Sequence, residues 1–181
     1  MSKAFRLEGA KTILESFIFD VETRTVSHAE GEFTRDVVVH PGAVAILCVD
    51  EQDRVGFIRQ YRATFDDVSL EIPAGTCDVP GEELIDAAKR ELLEEMGCQA
   101  DFWRLLGRFK VSPGWSTQVM TIFEARELHH VGRHPVGPEE MNSTIEWIPR
   151  GQLKEVLQAE GLIDSTVAIA MNALFGSFFS L

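Results

Sequence analysis

Residues 71–98, EIPAGTCDVPGEELIDAAKRELLEEMGC, constrain the fold of this chain more than any other stretch. A turn-rich segment with Pro73, Gly75, Pro80 and Gly81 runs into strong helix formers over 82–96, and Gly97 supplies a stop signal. At about 100° per residue, Leu84, Ile85, Ala88, Leu92 and Met96 fill an apolar arc of roughly 120°, which should pack on a core. Glu91 and Glu95 fall at roughly 340° and 20° from Leu84, on or beside that arc. The plain alternative, a solvated acidic helix with an Arg90–Glu94 i,i+4 pair, would put them on the opposite side. Burying one unpaired carboxylate costs several kcal/mol, and two side by side repel unless a cation lies between them. An oxygen-loving divalent ion removes both problems, and Mg²⁺ is typically held by one or two carboxylates together with substrate phosphates. The pattern therefore predicts a metal-dependent phosphate site.

These residues resemble the Nudix hydrolase box, G-x5-E-x7-R-E-U-x-E-E-x-G-U with U aliphatic. Glu82, seven residues, then Arg90-Glu91-Leu92-Leu93-Glu94-Glu95-Met96-Gly97 fits its second half without a gap. Two positions depart from it. Six residues instead of five separate Gly75 from Glu82, which puts one extra residue into the turn around Val79-Pro80, and Cys98 takes the final aliphatic place. Loops tolerate such length changes. The chain also looks like the ADP-ribose pyrophosphatase branch. Arg59-Gln60-Tyr61-Arg62 precedes Glu71-Ile72-Pro73-Ala74-Gly75, and Pro113, within Ser112-Pro113-Gly114, stands sixteen residues after Gly97. The likeness extends to residues 161–166.

The resemblance implies a Nudix-type α/β/α sandwich with a mixed sheet, and Mg²⁺-dependent hydrolysis with Mn²⁺ as a substitute. Its implied substrate is a nucleoside diphosphate derivative, ADP-ribose, cleaved to AMP and ribose 5-phosphate. A nucleoside diphosphate sugar such as GDP-mannose and a non-catalytic ligand-sensing domain are the alternatives. Glu91 and Glu95 are expected to hold metal with the carbonyl of Ala74, while Glu94 orients Arg90 and is able to add a metal contact. Arg62, Pro113, Gly114 and Gln118 are the expected substrate-binding residues. Family members often carry an acidic residue where this chain has Gln118, and a neutral amide can bond a ribose hydroxyl but brings no charge to a metal. The catalytic base is expected in the polar stretch 129–142, as Glu139 or Glu140, between which spacing does not choose.

With 181 residues, 45% of them hydrophobic and 25% charged, the chain has the make-up of an ordinary globular domain. A net charge of −12 argues against nucleic acid or an anionic membrane as partner. Cys48, Cys77 and Cys98 are odd in number and lack CxxC spacing, so they read as reduced thiols of a cytoplasmic protein. The N-terminus has no h-region, and no apolar run reaches the length of a membrane span. His129 and His130 read as a solvated turn rather than a zinc site.

Short β-rich runs over 12–20, 24–28 and 34–39 predict an N-terminal meander, residues 1–40, ahead of a catalytic domain, residues 41–181. Strands are expected over 43–49, 54–61, 102–109, 119–124 and 143–148, with helices over 153–160 and from Asp164 or Ser165 onward. A small sheet needs a packing partner, and the tail 174–181 adds three phenylalanines. The chain is therefore expected to form a homodimer, the resemblance placing each N-terminal segment at the partner's substrate site with Phe17, Phe19 or Phe33 available to stack on a base.

Overall fold

The computed structural model of the protein describes residues 4–176. Its interior is organised by β4 (Ala43–Cys48), every residue of which is buried. Alternate side chains of a strand point to opposite faces, and here both faces are apolar. Ala45 and Leu47 enter one core cluster; Val44, Ile46 and Cys48 enter the other. This is why 43–49 reads as a continuous apolar run rather than an alternating one. β4 lies parallel to β9 (Val119–His130) and antiparallel to β7 (Ala74–Thr76), while β8 (Cys98–Lys110) pairs antiparallel with β9, giving the order β7-β4-β9-β8. A second sheet has the order β10-β5-β6, built from β5 (Arg54–Arg62), β6 (Asp67–Glu71) and β10 (Thr144–Pro149).

Helices close both faces. α1 (Leu84–Met96) packs Ala87, Ala88, Leu92 and Met96 into the cluster containing Val44 and Ile46. α3 (Leu153–Glu160) and α4 (Ser165–Phe175) supply Leu153, Leu157, Val167, Ala170 and Met171 to the other. The layering is the expected α/β/α sandwich with a mixed sheet. Asp164 caps α4, its Oδ1 accepting from the backbone N–H groups of Thr166 at 2.8 Å and Val167 at 3.1 Å. Among the described residues no helix is long and apolar enough to cross a membrane.

β1 (Arg6–Glu15), β2 (Asp20–His28) and β3 (Gly31–Val39) form a separate antiparallel meander. The strand expected over 12–20 is instead cut by a reversal at 16–19, in an apolar run that carries no Gly or Pro. Two short strands, β6 and β7, lie where the sequence shows turn residues; ladder bonds to β5 and β4, not propensity, create them. The stretch 129–142 is not irregular throughout. His129 and His130 end β9 rather than forming a turn, and a five-residue helix, α2 (Gly137–Met141), follows. Leu174 and Phe175 pack on their own core and so do not form an exposed cluster; Phe178 and Phe179 lie outside the described residues.

Candidate active site

Gly75 and Gly97 set the geometry of the acidic helix. The chain enters α1 through a turn in which Glu82 N–H donates to the Val79 carbonyl at 3.2 Å, with Pro80 next and Gly81 at φ +80°. That is the pattern of a type II turn, and it absorbs the extra loop residue. The helix ends at Gly97 in the left-handed conformation, φ 64° and ψ 31°. A Cβ there would come within 2.7 Å of the Arg133 nitrogen and the Gly132 carbonyl carbon. A Cβ at Gly75 would overlap the Glu91 carboxyl itself, so glycine lets β7 run directly against that carboxylate.

Glu91 and Glu95, one helical turn apart, are 6% and 3% exposed. Glu95 Oε2 accepts from Ala74 N–H at 2.8 Å. In the β7–β4 ladder Gly75 faces Val44, with Pro73 and Cys77 bonding back to β4 on either side. Ala74 therefore directs its N–H and its carbonyl away from β4, toward the helix carboxylates. Glu91 Oε1 accepts from Arg90 Nη1 at 2.5 Å. The rest of Arg90 is held mainly by Glu82, two bonds at 3.1 Å, whereas Glu94 stands at 3.5 Å. Glu82 is thus the main partner of Arg90, a role that box membership alone does not reveal.

Burial raises the proton affinity of both carboxyls. Desolvation lifts Glu95 to about 8, opposed by the Ala74 N–H and reinforced by the negative charges of Glu91 and Glu140. Glu91 is lifted to about 7 by desolvation, opposed by Arg90 and reinforced by Glu94 and Glu140. A divalent cation suits this donor set. Two buried carboxylates and one inward carbonyl leave negative charge undercompensated, and among the described residues no preformed group of three or more His, Cys, Asp or Glu ligands exists that could hold a metal without help. Such a set suits a cation that brings waters and substrate phosphates as its remaining ligands.

The other predicted residues surround this centre unequally. Arg62 is not free: its Nε and Nη2 donate to Glu71 at 2.9 and 2.6 Å. Glu71 is pulled below the usual carboxylate range, desolvation being outweighed by the Arg62 bonds. Glu139 is exposed and lines a cleft of about 270 Å³ with Arg59, Tyr61, Val68, Pro138 and Asn142. Its charge acts on Tyr61 and Arg62, while that of Glu140 acts on Glu91 and Glu95. Pro113 and Gly114 lie in a loop fastened to the meander, where Val38 N–H donates to the Trp115 carbonyl at 2.8 Å and Thr117 N–H to the Val38 carbonyl at 2.9 Å. Gln118 follows that loop, its N–H donating to Ser116 Oγ at 3.1 Å.

The NUDIX domain family matches residues 39–166, most of the chain and all of the site just described. The chain belongs to the Nudix hydrolase family. Divalent metal is general to Nudix hydrolases, in keeping with the Glu91–Glu95 pair. An ADP-ribose pyrophosphatase of Mycobacterium tuberculosis is 39% identical over 141 residues, covering 77% of this chain and 67% of the relative. Another, from Bacillus subtilis, is 36% identical over 124 residues, covering 65% and 66%. The chain thus spans about two thirds of the length of these two relatives. The crystal structure of an ADP compounds hydrolase superposes with a TM-score of 0.83 at 23% identity, over 95% of this chain and 92% of that one, a likeness of Nudix fold.

Proposed function

We propose that this Nudix hydrolase cleaves the pyrophosphate of ADP-ribose, using Mg²⁺, to AMP and ribose 5-phosphate. The observation that carries the reaction class is the buried Glu91–Glu95 pair facing the inward carbonyl of Ala74. The substrate rests on the likeness to ADP-ribose pyrophosphatases. Glu91, Glu95 and the Ala74 carbonyl would hold the metal, which supplies charge neutralisation for the pyrophosphate and a water of lowered pKa. Arg90, pinned by Glu82, keeps Glu91 in place, and Glu94 borders the same charge cluster. The attacking water forms a bond to one phosphorus, the bridging P–O bond breaks, and the water proton passes to a carboxylate. We assign that base to Glu140, half-buried on α2, whose charge bears on Glu91 and Glu95; its Oε2 accepts from Val136 N–H at 2.6 Å, so Oε1 would take the proton. Glu139 lines the cleft with Tyr61 and its charge bears on Arg62, whose Nη1 would be the group offered to substrate anions. Pro113 and Gly114, with Gln118 just after their loop, would add a further wall to the substrate site.

Gln118 favours a second reading, a nucleoside diphosphate sugar, since its neutral amide suits a sugar hydroxyl. A panel of ADP-ribose, GDP-mannose and other nucleoside diphosphate derivatives, each with and without Mg²⁺, separates the two. ADP-ribose is expected to be turned over fastest and only with metal. Activity on none of them, or equal activity after chelation, removes the proposal.

The site is read as dimeric. The meander exposes Phe5, Leu7, Ile13, Leu14 and Ile18, with Phe17 97% exposed, on a sheet whose first strand is exposed throughout. Such a surface fits a two-fold homodimer of residues 1–40 against the partner's residues 41–181. Phe17 and Phe19 remain available to a base, whereas Phe33 is occupied by Phe5, His28 and Arg35. Deleting residues 1–36, which spares the Val38 tether, is expected to give an inactive monomer by light scattering. A fully active monomer would refute the dimeric site.

A further inference from the structure

Resting on the reading of α2 as the carrier of the base, we infer that Arg133 is a positioning residue that locks α2 to the end of the metal-site helix. α2 cannot place itself. It has five residues, none of them buried, and its side-chain bonds are internal, Glu140 Oε2 accepting from Val136 N–H at 2.6 Å and Asn142 Nδ2 donating to the Pro138 carbonyl at 2.7 Å, so they tie it to nothing else in the fold. Its carbonyl end is instead gripped from outside. Arg133 Nη2 donates to the Glu140 carbonyl at 3.0 Å and to Ser143 Oγ, and Nη1 donates to the Ser143 carbonyl at 3.0 Å. Ser143 Oγ in turn donates to the Glu140 carbonyl at 2.8 Å, and Ser143 is 7% exposed. Arg133 Nε is buried without a hydrogen-bond partner among the described residues. The fold tolerates that unpaired donor while keeping the guanidinium turned toward α2.

The other end of the link is α1. Residues 131–134 cross its C-terminus, Val131 N–H donating to the Gly97 carbonyl at 2.8 Å and His134 N–H to the Glu94 carbonyl at 3.2 Å. Gly97 packs so tightly on Gly132 and Arg133 that a methyl group does not fit. One short strap therefore caps the helix that carries Glu91 and Glu95 and grips the helix that carries Glu139 and Glu140. Rigid placement of reacting groups is worth large rate factors, and a displacement of about 1 Å can cost about 10²-fold.

The test compares Arg133→Met and Arg133→Lys with wild type at saturating Mg²⁺, reading kcat, KM and amide exchange over 84–96 and 136–144. Arg133→Met is expected to lower kcat by about 10- to 100-fold with KM within about threefold, because geometry and not binding is lost. Protection of 136–144 should fall while that of 84–96 is kept, and lysine, which retains a donor, should restore part of kcat. Unchanged kcat in a folded Arg133→Met protein overturns the inference, as does equal loss of protection in both segments. If that variant does not fold, Ser143→Ala decides in its place, with a kcat loss expected and an unchanged kcat overturning. If wild type hydrolyses no nucleoside diphosphate derivative, the proposed function fails separately, and retained protection of 136–144 in Arg133→Met overturns the link by itself.

Discussion

The two acidic helices carry the same residue type into opposite environments. α1 has 13 residues and buries Glu91 and Glu95 beside Ala87, Ala88, Leu92 and Met96. α2 has five residues, buries none, leaves Glu139 exposed and Glu140 half-buried, and is held at its carbonyl end by Arg133. Carboxylates that bind a cation gain from burial, because the unfavourable field that raises their proton affinity is the field a divalent ion relieves. A carboxylate that takes a proton from water gains from access. The division also explains why hydrophobic packing defines one acidic element and hydrogen bonds from a strap define the other.

The sharpest way to break this contrast is Glu95→Gln. Loss of a proposed cation ligand should remove several kcal/mol of transition-state stabilisation, so kcat on the best substrate should fall by about 10³-fold. The thermal midpoint of the metal-free protein should not fall, since a buried charge has been removed. Less than a tenfold loss in kcat would place the cation elsewhere. The second effect divides the α2 pair. Glu140→Gln should cost about 10²-fold in kcat, the scale of general base catalysis, whereas Glu139→Gln, next to Arg62 and the cleft, should act mainly on KM. Reversed ranks would move the base to Glu139.

The asymmetry also marks what was legible in the sequence. The burial of Glu91 and Glu95 could be read from 3.6-residue periodicity, because α1 packs on its own apolar arc. β4 was legible for the same kind of reason, an uninterrupted apolar run with two faces to bury. β6 and β7 were not, since their strand character comes from pairing with β5 and β4 across a segment rich in turn residues. α2 was hidden because five residues with no buried face leave no period to detect. The Arg62–Glu71 and Arg90–Glu82 pairs lie nine and eight residues apart in sequence. Neither spacing is a helical neighbour, so only the folded chain brings the partners together. The choice between Glu139 and Glu140 depends on which way each side chain faces, and adjacent positions in a sequence do not encode that.

The last effect is one of stability, and it isolates α1 from α2. Glu91 and Glu95 are raised to about 7 and about 8, desolvation being the first cause of each. In the unfolded chain a glutamate titrates near about 4.3. Between these values the folded protein binds more protons than the unfolded one, so stability must fall as pH rises through the window. Without metal, stability should drop by several kcal/mol from pH 5 to pH 8, at about 2–4 °C in Tm per kcal/mol for a domain of this size. If the proposed Mg²⁺ site is this ionised pair, millimolar Mg²⁺ should recover most of that loss at pH 8 and little of it at pH 5. The double variant Glu91→Gln/Glu95→Gln should flatten the pH dependence and the Mg²⁺ response together, while Glu139→Gln/Glu140→Gln should leave most of both. Scanning calorimetry of the three proteins at both pH values reads all of these at once. A Mg²⁺ response that survives in the α1 double variant would mean that the cation does not sit on α1.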